Sequence, residues 1–313
     1  MEGIKNKVCV ILGPTATKKS KLAVWLAEQI DGEIVSADSM QIYKDMNIAT
    51  AKIEEKEKNN IKHHMLDFLE IEKEFSVAQY VEMAKYVINK ILNKNKKPII
   101  VGGTGLYIDC LLLGTNFKYD VKDLNLRKKL EEELKNKGVD FMFEELKKKD
   151  PEYAKKIHKN NTKRVLRAIE ILTLTNKPIE EYIKENNRKE EIFSSIKIGL
   201  NYKDRNLLYK NIKDRVDGMI EKGLLKEAKK ILLKKYSKTA IQAIGYKELE
   251  KYFNKEITLE EAIFKIKQNS TRYAKRQLTW FRKDKNIHWF FWDEKKNSLI
   301  KDEILNLIKN FFK

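Results

Sequence analysis

Cysteine is nearly missing from this chain. Only Cys9 and Cys110 occur among 313 residues, too few and too far apart for a disulfide framework or a C-x-x-C zinc site. Histidine is scarce as well, with four residues, of which His63 and His64 are adjacent. Neighbours along a regular element point to different sides, so this pair is expected in surface or core polar contacts and not at a metal. No Ser/His/Asp arrangement and no second His/Cys cluster appears, which leaves hydrolase and metalloenzyme chemistry without its residues. Long apolar runs are also lacking. The one extended stretch, from Pro98 to Gly114, is broken by Asp109 and by glycines, so no membrane span is expected. No signal peptide is legible before the first apolar strand, and the expected compartment is the cytoplasm.

Acidic residues are in deficit, 46 against 65 Lys and Arg, and the resulting net charge of +19 favours a polyanionic partner such as RNA. A lysine-rich surface without any such partner has the same composition, so the position of the charges decides. With 42% hydrophobic residues the chain can bury a core, and its length suits one large α/β domain and a smaller one.

Three short apolar runs, Val8 to Leu12, Ile34 to Ala37 and Pro98 to Val101, are separated by helical patterns, the signature of parallel βαβ units. Between the second and third, Ser76-Val77-Ala78-Gln79 forms a capping box. Val77, Tyr80, Val81, Ala84, Val87, Ile88 and Ile91 then recur at helical spacing up to about Asn95. From Phe117 to Ser194 the strand pattern gives way to charged amphipathic segments, Leu126 to Lys137 and Thr162 to Leu174, ending in the polar run Lys184 to Glu191. Alternation returns at Ile196, Ile198 and Leu200, with helices expected over Asn206–Ile220, Leu224–Lys235 and Thr258–Lys283. The expected fold is therefore α/β: a P-loop NTPase-like parallel sheet core with helices on both faces, residues 1–116 and 195–313, interrupted by a helical insertion domain at 117–194.

Directly after the first run stands Gly13-Pro14-Thr15-Ala16-Thr17-Lys18-Lys19-Ser20, one letter from G-x-x-x-x-G-K-[ST]. Such a loop offers backbone N–H groups, a lysine and a metal-binding hydroxyl to a di- or triphosphate at a helix N-terminus. Lys18 stands where the second glycine is usual.

Asp38 follows the second strand on the edge where parallel sheets bind ligands. It reads as a general base, as a metal-shell ligand or simply as a cap for the next segment. Gly102-Gly103-Thr104-Gly105 follows the third strand and would bring the Thr104 hydroxyl beside a bound phosphate, or serve only close helix–strand packing. In the last long helix Lys265, Arg272, Arg276 and Lys283 share one face and Ala262, Ile266, Tyr273 and Trp280 another, a basic side and a buried side. That basic side fits nucleic acid or a solvated surface. Lys163, Arg164 and Arg167 form a second basic cluster, equally open to both readings.

Six segments in order, G-P-T-A-T-K-K-S, S-A-D-S-M-Q-I-Y from Ser36, G-G-T-G-L-Y from Gly102, K-R-V-L-R-A-I-E from Lys163, Q-A-I-G-Y-K from Gln242 and Y-A-K-R-Q-L-T-W-F-R from Tyr273, resemble the bacterial tRNA dimethylallyltransferase family over nearly the whole chain. The resemblance implies transfer of a dimethylallyl group from dimethylallyl pyrophosphate to N6 of the adenosine 3′-adjacent to the anticodon in tRNA, with release of pyrophosphate. It implies Asp38 as the base, Thr104 on the bridging oxygen and Arg215 on the leaving group. Pyrophosphate would sit on Gly13, Thr15, Ala16, Thr17, Lys18, Lys19 and Ser20, with Mg²⁺ held through Ser20. The anticodon stem-loop would meet Asp38, Ser39, Met40 and Gln41; Lys163, Arg164 and Arg167; Gln242, Gly245 and Tyr246; and Lys275, Arg276, Gln277, Trp280 and Arg282.

Against the family pattern, Lys18 and Ala49 replace glycines, Asn211 an arginine and Asn161 an aspartate. The expected enzyme is monomeric. Two other functions fit parts of the chain: a nucleotide-kinase-like phosphotransferase, from the phosphate loop, and a weakly active tRNA-binding paralogue, from Lys18.

Overall fold

The computed structural model describes residues 5–115, 123–186 and 191–313. The expected domain break at 116/117 and residues 187–190 of the polar run at 184–191 lie outside the described residues. By compactness the chain divides into two units, Met1–Leu112 with Ile192–Lys313, and Leu113–Glu191.

The first unit is built on a parallel sheet. Its strands are β1 (Lys7–Leu12), β2 (Gly32–Ala37), β3 (His63–His64), β4 (Lys97–Gly102), β5 (Ser194–Asn201) and β6 (Ile287–Phe291), in the order β3-β2-β4-β1-β5-β6. Every pairing among these six is parallel. The near-continuous burial of V-C-V-I-L and I-I-V is what a central parallel strand requires, since helices cover both its faces.

On one face Cys9, Ile11, Ile34, Ile99, Ile198 and Leu200 pack with α1 (Lys19–Ile30), α8 (Arg205–Glu221) and α12 (Asn297–Phe312). Helices α2 (Val77–Leu92) and α3 (Gly105–Leu112) pack on β4. The capping box at Ser76 is present, its hydroxyl accepting from Gln79 N at 3.3 Å while Ser76 N donates to Gln79 Oε1 at 2.9 Å.

The sheet ends are shorter and longer than periodicity suggests. β3 has two residues, too few for any alternation, and is fixed by a side-chain contact: His64 Nε2 meets Glu33 Oε2 at 2.6 Å.

The second unit is helical: α4 (Leu124–Lys149), α5 (Pro151–Ala154), α6 (Thr162–Thr175) and α7 (Ile179–Asn186). Its core joins Leu130, Met142 and Leu146 to Val165, Leu166, Ile169 and Leu172. α4 runs past the expected end at Lys137 because Gly138, at φ 83° and ψ 175°, breaks the helical path and lets a second helix restart. Back in the first unit, α9 (Leu224–Leu232), α10 (Tyr246–Phe253) and α11 (Leu259–Phe281) follow α8.

Candidate active site

The site begins where β1 delivers the chain to Gly13. This residue has φ 140°, and a Cβ there would lie 2.3 Å from Leu200 O on β5, so no side chain fits. The neighbouring strand by itself thus demands glycine here. The following turn is tied internally. Thr17 Oγ1 donates to Pro14 O at 2.8 Å, Lys19 Nζ donates to Pro14 O at 2.6 Å, and Trp292 Nε1 donates to Thr17 O at 2.9 Å. Thr17 is fully buried and its hydroxyl is committed to Pro14 O.

Lys18 caps α1 at φ 60° and ψ 24°, and Ala16 also has positive φ, 65°. The backbone therefore takes the left-handed turn that glycine would make easy, at a cost for lysine of roughly 1–2 kcal/mol.

A cavity of about 660 Å³ opens against this loop, lined by residues 15–21 and by Asp38, Arg215, Tyr273 and Arg276. Ile48, Ile53, Ile212, Val216, Met219 and Ile244 add an apolar stretch to the lining, alongside polar residues such as Lys52, Glu54, Lys222 and Ser270. Burial brings the Lys19 ammonium down to about 7, with the Arg215 charge pushing the same way and Asp38 opposing. Burial likewise lowers Arg215, again opposed by Asp38. Two desolvated cations beside one carboxylate make a site that is short of negative charge.

Asp38 lies at the end of β2, and its Oδ1 accepts from Met40 N at 2.9 Å and Gln41 N at 3.3 Å. The cap reading and the cavity reading are both realised. One oxygen fixes the turn, and the residue faces the cavity that holds Lys19 and Arg215. Ser39, Met40 and Gln41 line the same cavity.

Thr104 lies behind the turn that carries Asp38, beside Tyr273 of the cavity wall. Its hydroxyl accepts from Ser39 N at 3.1 Å and donates to Ser39 Oγ at 3.4 Å. It sits beneath the Asp38 turn because Thr104 N is drawn to Ala37 O at 3.2 Å, the next carbonyl of β2. The flanking glycines serve α11. A Cβ on Gly103 would meet Gln277 Nε2 at 2.1 Å and one on Gly105 would meet the Trp280 ring at 2.3 Å.

Several residues expected at RNA are engaged inside the chain. Gln277 is buried. Its Oε1 accepts from Thr15 N at 2.9 Å and its Nε2 donates to Gly103 O at 3.0 Å, so one side-chain amide braces the phosphate loop against the glycine turn. Trp280 is half-buried and donates from Nε1 to Asp109 Oδ2 at 2.8 Å. Tyr246 is fully buried with its hydroxyl on Glu227 at 2.9 Å, because it belongs to the apolar face that also carries Leu249. Gly245 beside it is buried too.

Gln242, Lys275, Arg276 and Arg282 are exposed. Arg276 stands over the Tyr273 ring at 5.6 Å. Within the second unit Lys163 and Arg164 are exposed, whereas Arg167 donates to the buried Glu170 at 2.9 Å.

Tyr273 was expected on the buried side of α11. It instead contributes to the cavity, and burial, then Asp38, hold its phenol well above the usual range. The spacing could not reveal this, since it groups Tyr273 with Ala262 and Ile266, which are buried. Residues 47–54 also line the cavity without any legible chemical motif.

No group of three or more His, Cys, Asp or Glu suited to a metal occurs among the described residues. A magnesium ion needs no such cage. It takes one or two protein oxygens and leaves the rest to phosphate and water, and the exposed Ser20 hydroxyl and the Asp38 carboxylate, both on this cavity, are oxygens of that kind. Among the described residues no helix is long and apolar enough to cross a membrane.

Comparison with known proteins gives one family throughout. The model of the IPP transferase family matches residues 41–284. A tRNA dimethylallyltransferase of Halothermothrix orenii is 48% identical over 98% of this chain and 94% of its own. That of Bacillus subtilis is 44% identical over 93% of this chain and 92% of its own. Among solved structures, a full-length tRNA isopentenylpyrophosphate transferase from Bacillus halodurans superimposes with a TM-score of 0.74 at 40% identity, covering 98% of this chain and 97% of that one. A eukaryotic dimethylallyltransferase acting on tRNA gives a TM-score of 0.81 at 29% identity, over 97% of this chain and 80% of that one.

Proposed function

The chain belongs to the IPP transferase family and is an enzyme of dimethylallyl transfer to tRNA, and from that premise we propose how its residues divide the reaction. The observation that carries the reading is the shared cavity: Asp38, Lys19 and Arg215 converge on a space that also has an apolar stretch of wall, from Ile48, Val216, Met219 and Ile244. A phosphate loop beside an apolar wall suits a substrate with a charged diphosphate and a branched hydrocarbon tail. The family membership sets the kinase-type alternative aside.

Dimethylallyl pyrophosphate lies with its phosphates on the backbone of residues 15–20 and on Lys19 and Arg215, and its five-carbon group against Val216 and Met219. The acceptor is N6 of the adenosine 3′-adjacent to the anticodon. Its C–N bond forms as the allylic C–O bond breaks, the bonding pair leaves with pyrophosphate, and Asp38 takes the N6 proton. Two desolvated cations aimed at the diphosphate stabilise charge that grows as the bond breaks, where they act more strongly than in water. Ser20 is the residue that would hold Mg²⁺, which when bound would neutralise part of the phosphate charge.

Thr104 is proposed to turn its hydroxyl to the bridging oxygen. Its donor bond to Ser39 Oγ is long, 3.4 Å, so redirecting the O–H sacrifices little.

The base reaches the cavity by leaving the anticodon-loop stack, an extrusion costing a few kcal/mol that phosphate contacts offset. Lys275, Arg276 and Arg282 of the first unit and Lys163 and Arg164 of the second are the exposed cations proposed for those contacts. Against the reading as an inert paralogue stand the family membership and a loop that keeps its left-handed turn with Lys18 in it.

The test is direct. Purified protein incubated with dimethylallyl pyrophosphate, Mg²⁺ and unmodified tRNA is expected to yield N6-dimethylallyl-adenosine on digestion and mass spectrometry. ATP turnover without tRNA, and no prenylated nucleoside at enzyme excess, would overturn the reading.

A further inference from the structure

We infer that Glu227, a residue of α9 outside every motif read from the sequence, is a positioning residue for the RNA side of the cavity; the inference rests on the prenyl-transfer reading above. Its carboxylate meets four donors at once. Oε2 accepts from the backbone N–H groups of Asn47 at 2.9 Å and Ile48 at 2.7 Å, and Oε1 accepts from Ala49 N at 3.0 Å and from the Tyr246 hydroxyl at 2.9 Å. Successive N–H groups converging on one anion form a nest. A carboxylate is acceptor-only, whereas a glutamine in the same place must aim an NH₂ at two of these donors.

The nest matters because of what it holds. Ile48 and Ala49 line the cavity, and their loop is closed on itself by Ala51 N to Ile48 O and Lys52 N to Asn47 O, both 2.9 Å. Thr50 O in the same loop accepts from Gln41 Nε2 at 3.1 Å, and Gln41 N donates to Asp38 Oδ1 at 3.3 Å. A chain of hydrogen bonds thus runs from Glu227 through the loop to the turn of the proposed base.

On the other side Tyr246 follows Gly245, which has φ 116°, and the space for a Cβ on Gly245 lies 3.6 Å from the Ala49 methyl. Glu248 continues the path, accepting from Gly245 N at 2.9 Å and from Asn269 of α11 at 2.7 Å. One carboxylate therefore sets two loops at the cavity. Neither path of hydrogen bonds passes through residues 13–20, the loop proposed for the diphosphate.

Glu227→Gln keeps size and removes the acceptor pattern. It is expected to lower kcat/KM for tRNA by about tenfold or more, as for loss of bonds to a charged acceptor. The dissociation constant for inorganic pyrophosphate, read by calorimetry, is expected to stay within about twofold. Tyr246→Phe removes one donor of four and is expected to give a smaller loss, about two- to fivefold. Glu227→Asp retains the charge and is expected to recover part of the tRNA-side loss if the melting temperature falls in Glu227→Gln.

Unchanged tRNA kinetics in Glu227→Gln would overturn the inference. So would equal weakening of tRNA and pyrophosphate, the mark of a purely structural role. If the wild-type protein makes no prenylated tRNA, the functional reading fails instead, and the tRNA dissociation constant of Glu227→Gln still decides on the positioning role.

Discussion

At the scale of single residues, Lys18 and Lys19 make opposite demands. Lys18 holds φ 60°. Lys18→Gly relieves the left-handed strain but frees the unfolded chain, for a net gain of about 0.5–1 kcal/mol. A raised urea midpoint with unchanged slope is the expected result, and a fall would show that the lysine side chain itself stabilises the loop.

Lys19 is drawn down to about 7 by burial and by Arg215. A lysine lowered on folding binds fewer protons in the folded protein, so it contributes a stability that rises with pH from about 7 towards the ordinary lysine range. A bound diphosphate reverses the balance by favouring the ammonium. Above pH 7, pyrophosphate binding is therefore expected to take up a proton, and affinity to fall by up to about tenfold per pH unit. Calorimetry in buffers of different ionisation heat measures the uptake, and a value of zero at pH 8 would contradict the assigned charge state.

At the scale of elements, α11 is the member that ties the site together. Gln277 braces the phosphate loop and the glycine turn, and Trp280 fills the space over Gly105. Gln277→Leu strands Thr15 N and Gly103 O, at about 1–3 kcal/mol for each buried group left unpaired. Lower thermal stability together with weaker pyrophosphate binding is the expected outcome. Weaker tRNA binding alone would return Gln277 to the RNA face.

This helix also shows where sequence reading stops. Its amphipathic period marks the element, which the structure opens with a capping box of Thr258 and Glu261. Periodicity cannot tell a side chain that packs from one that packs while bonding two distant loops, so the bracing role of Gln277 was illegible. The same holds for Tyr246 and Thr104, whose partners Glu227 and Ser39 are fixed only by tertiary structure. Strand β3 escaped because two residues carry no period, whereas β1, β2 and β4 were legible as bounded apolar runs. The phosphate loop and Asp38 were legible because strand ends in a parallel sheet fix their place.

At the scale of the whole molecule, the charge of +19 is spread over both units, with exposed Lys163 and Arg164 in one and Lys275, Arg276 and Arg282 in the other. If these residues neutralise phosphates, the logarithm of tRNA affinity falls linearly with the logarithm of salt. Each of Lys163→Gln and Lys275→Gln is expected to reduce the slope by about 0.7–0.9. A slope indifferent to both would remove these residues from the interface.

The central claim is that Asp38 deprotonates the acceptor nitrogen while its neighbours hold a departing diphosphate. Because Asp38 Oδ1 also accepts from Met40 N and Gln41 N, Asp38→Asn is the discriminating variant, keeping the turn's acceptor and removing the base. Single-turnover transfer from dimethylallyl pyrophosphate to tRNA, measured beside the tRNA dissociation constant, is predicted to slow by about 10²–10⁴ with binding unchanged within a few fold. A variant that transfers at the wild-type rate, or that fails only because tRNA no longer binds, would contradict the account.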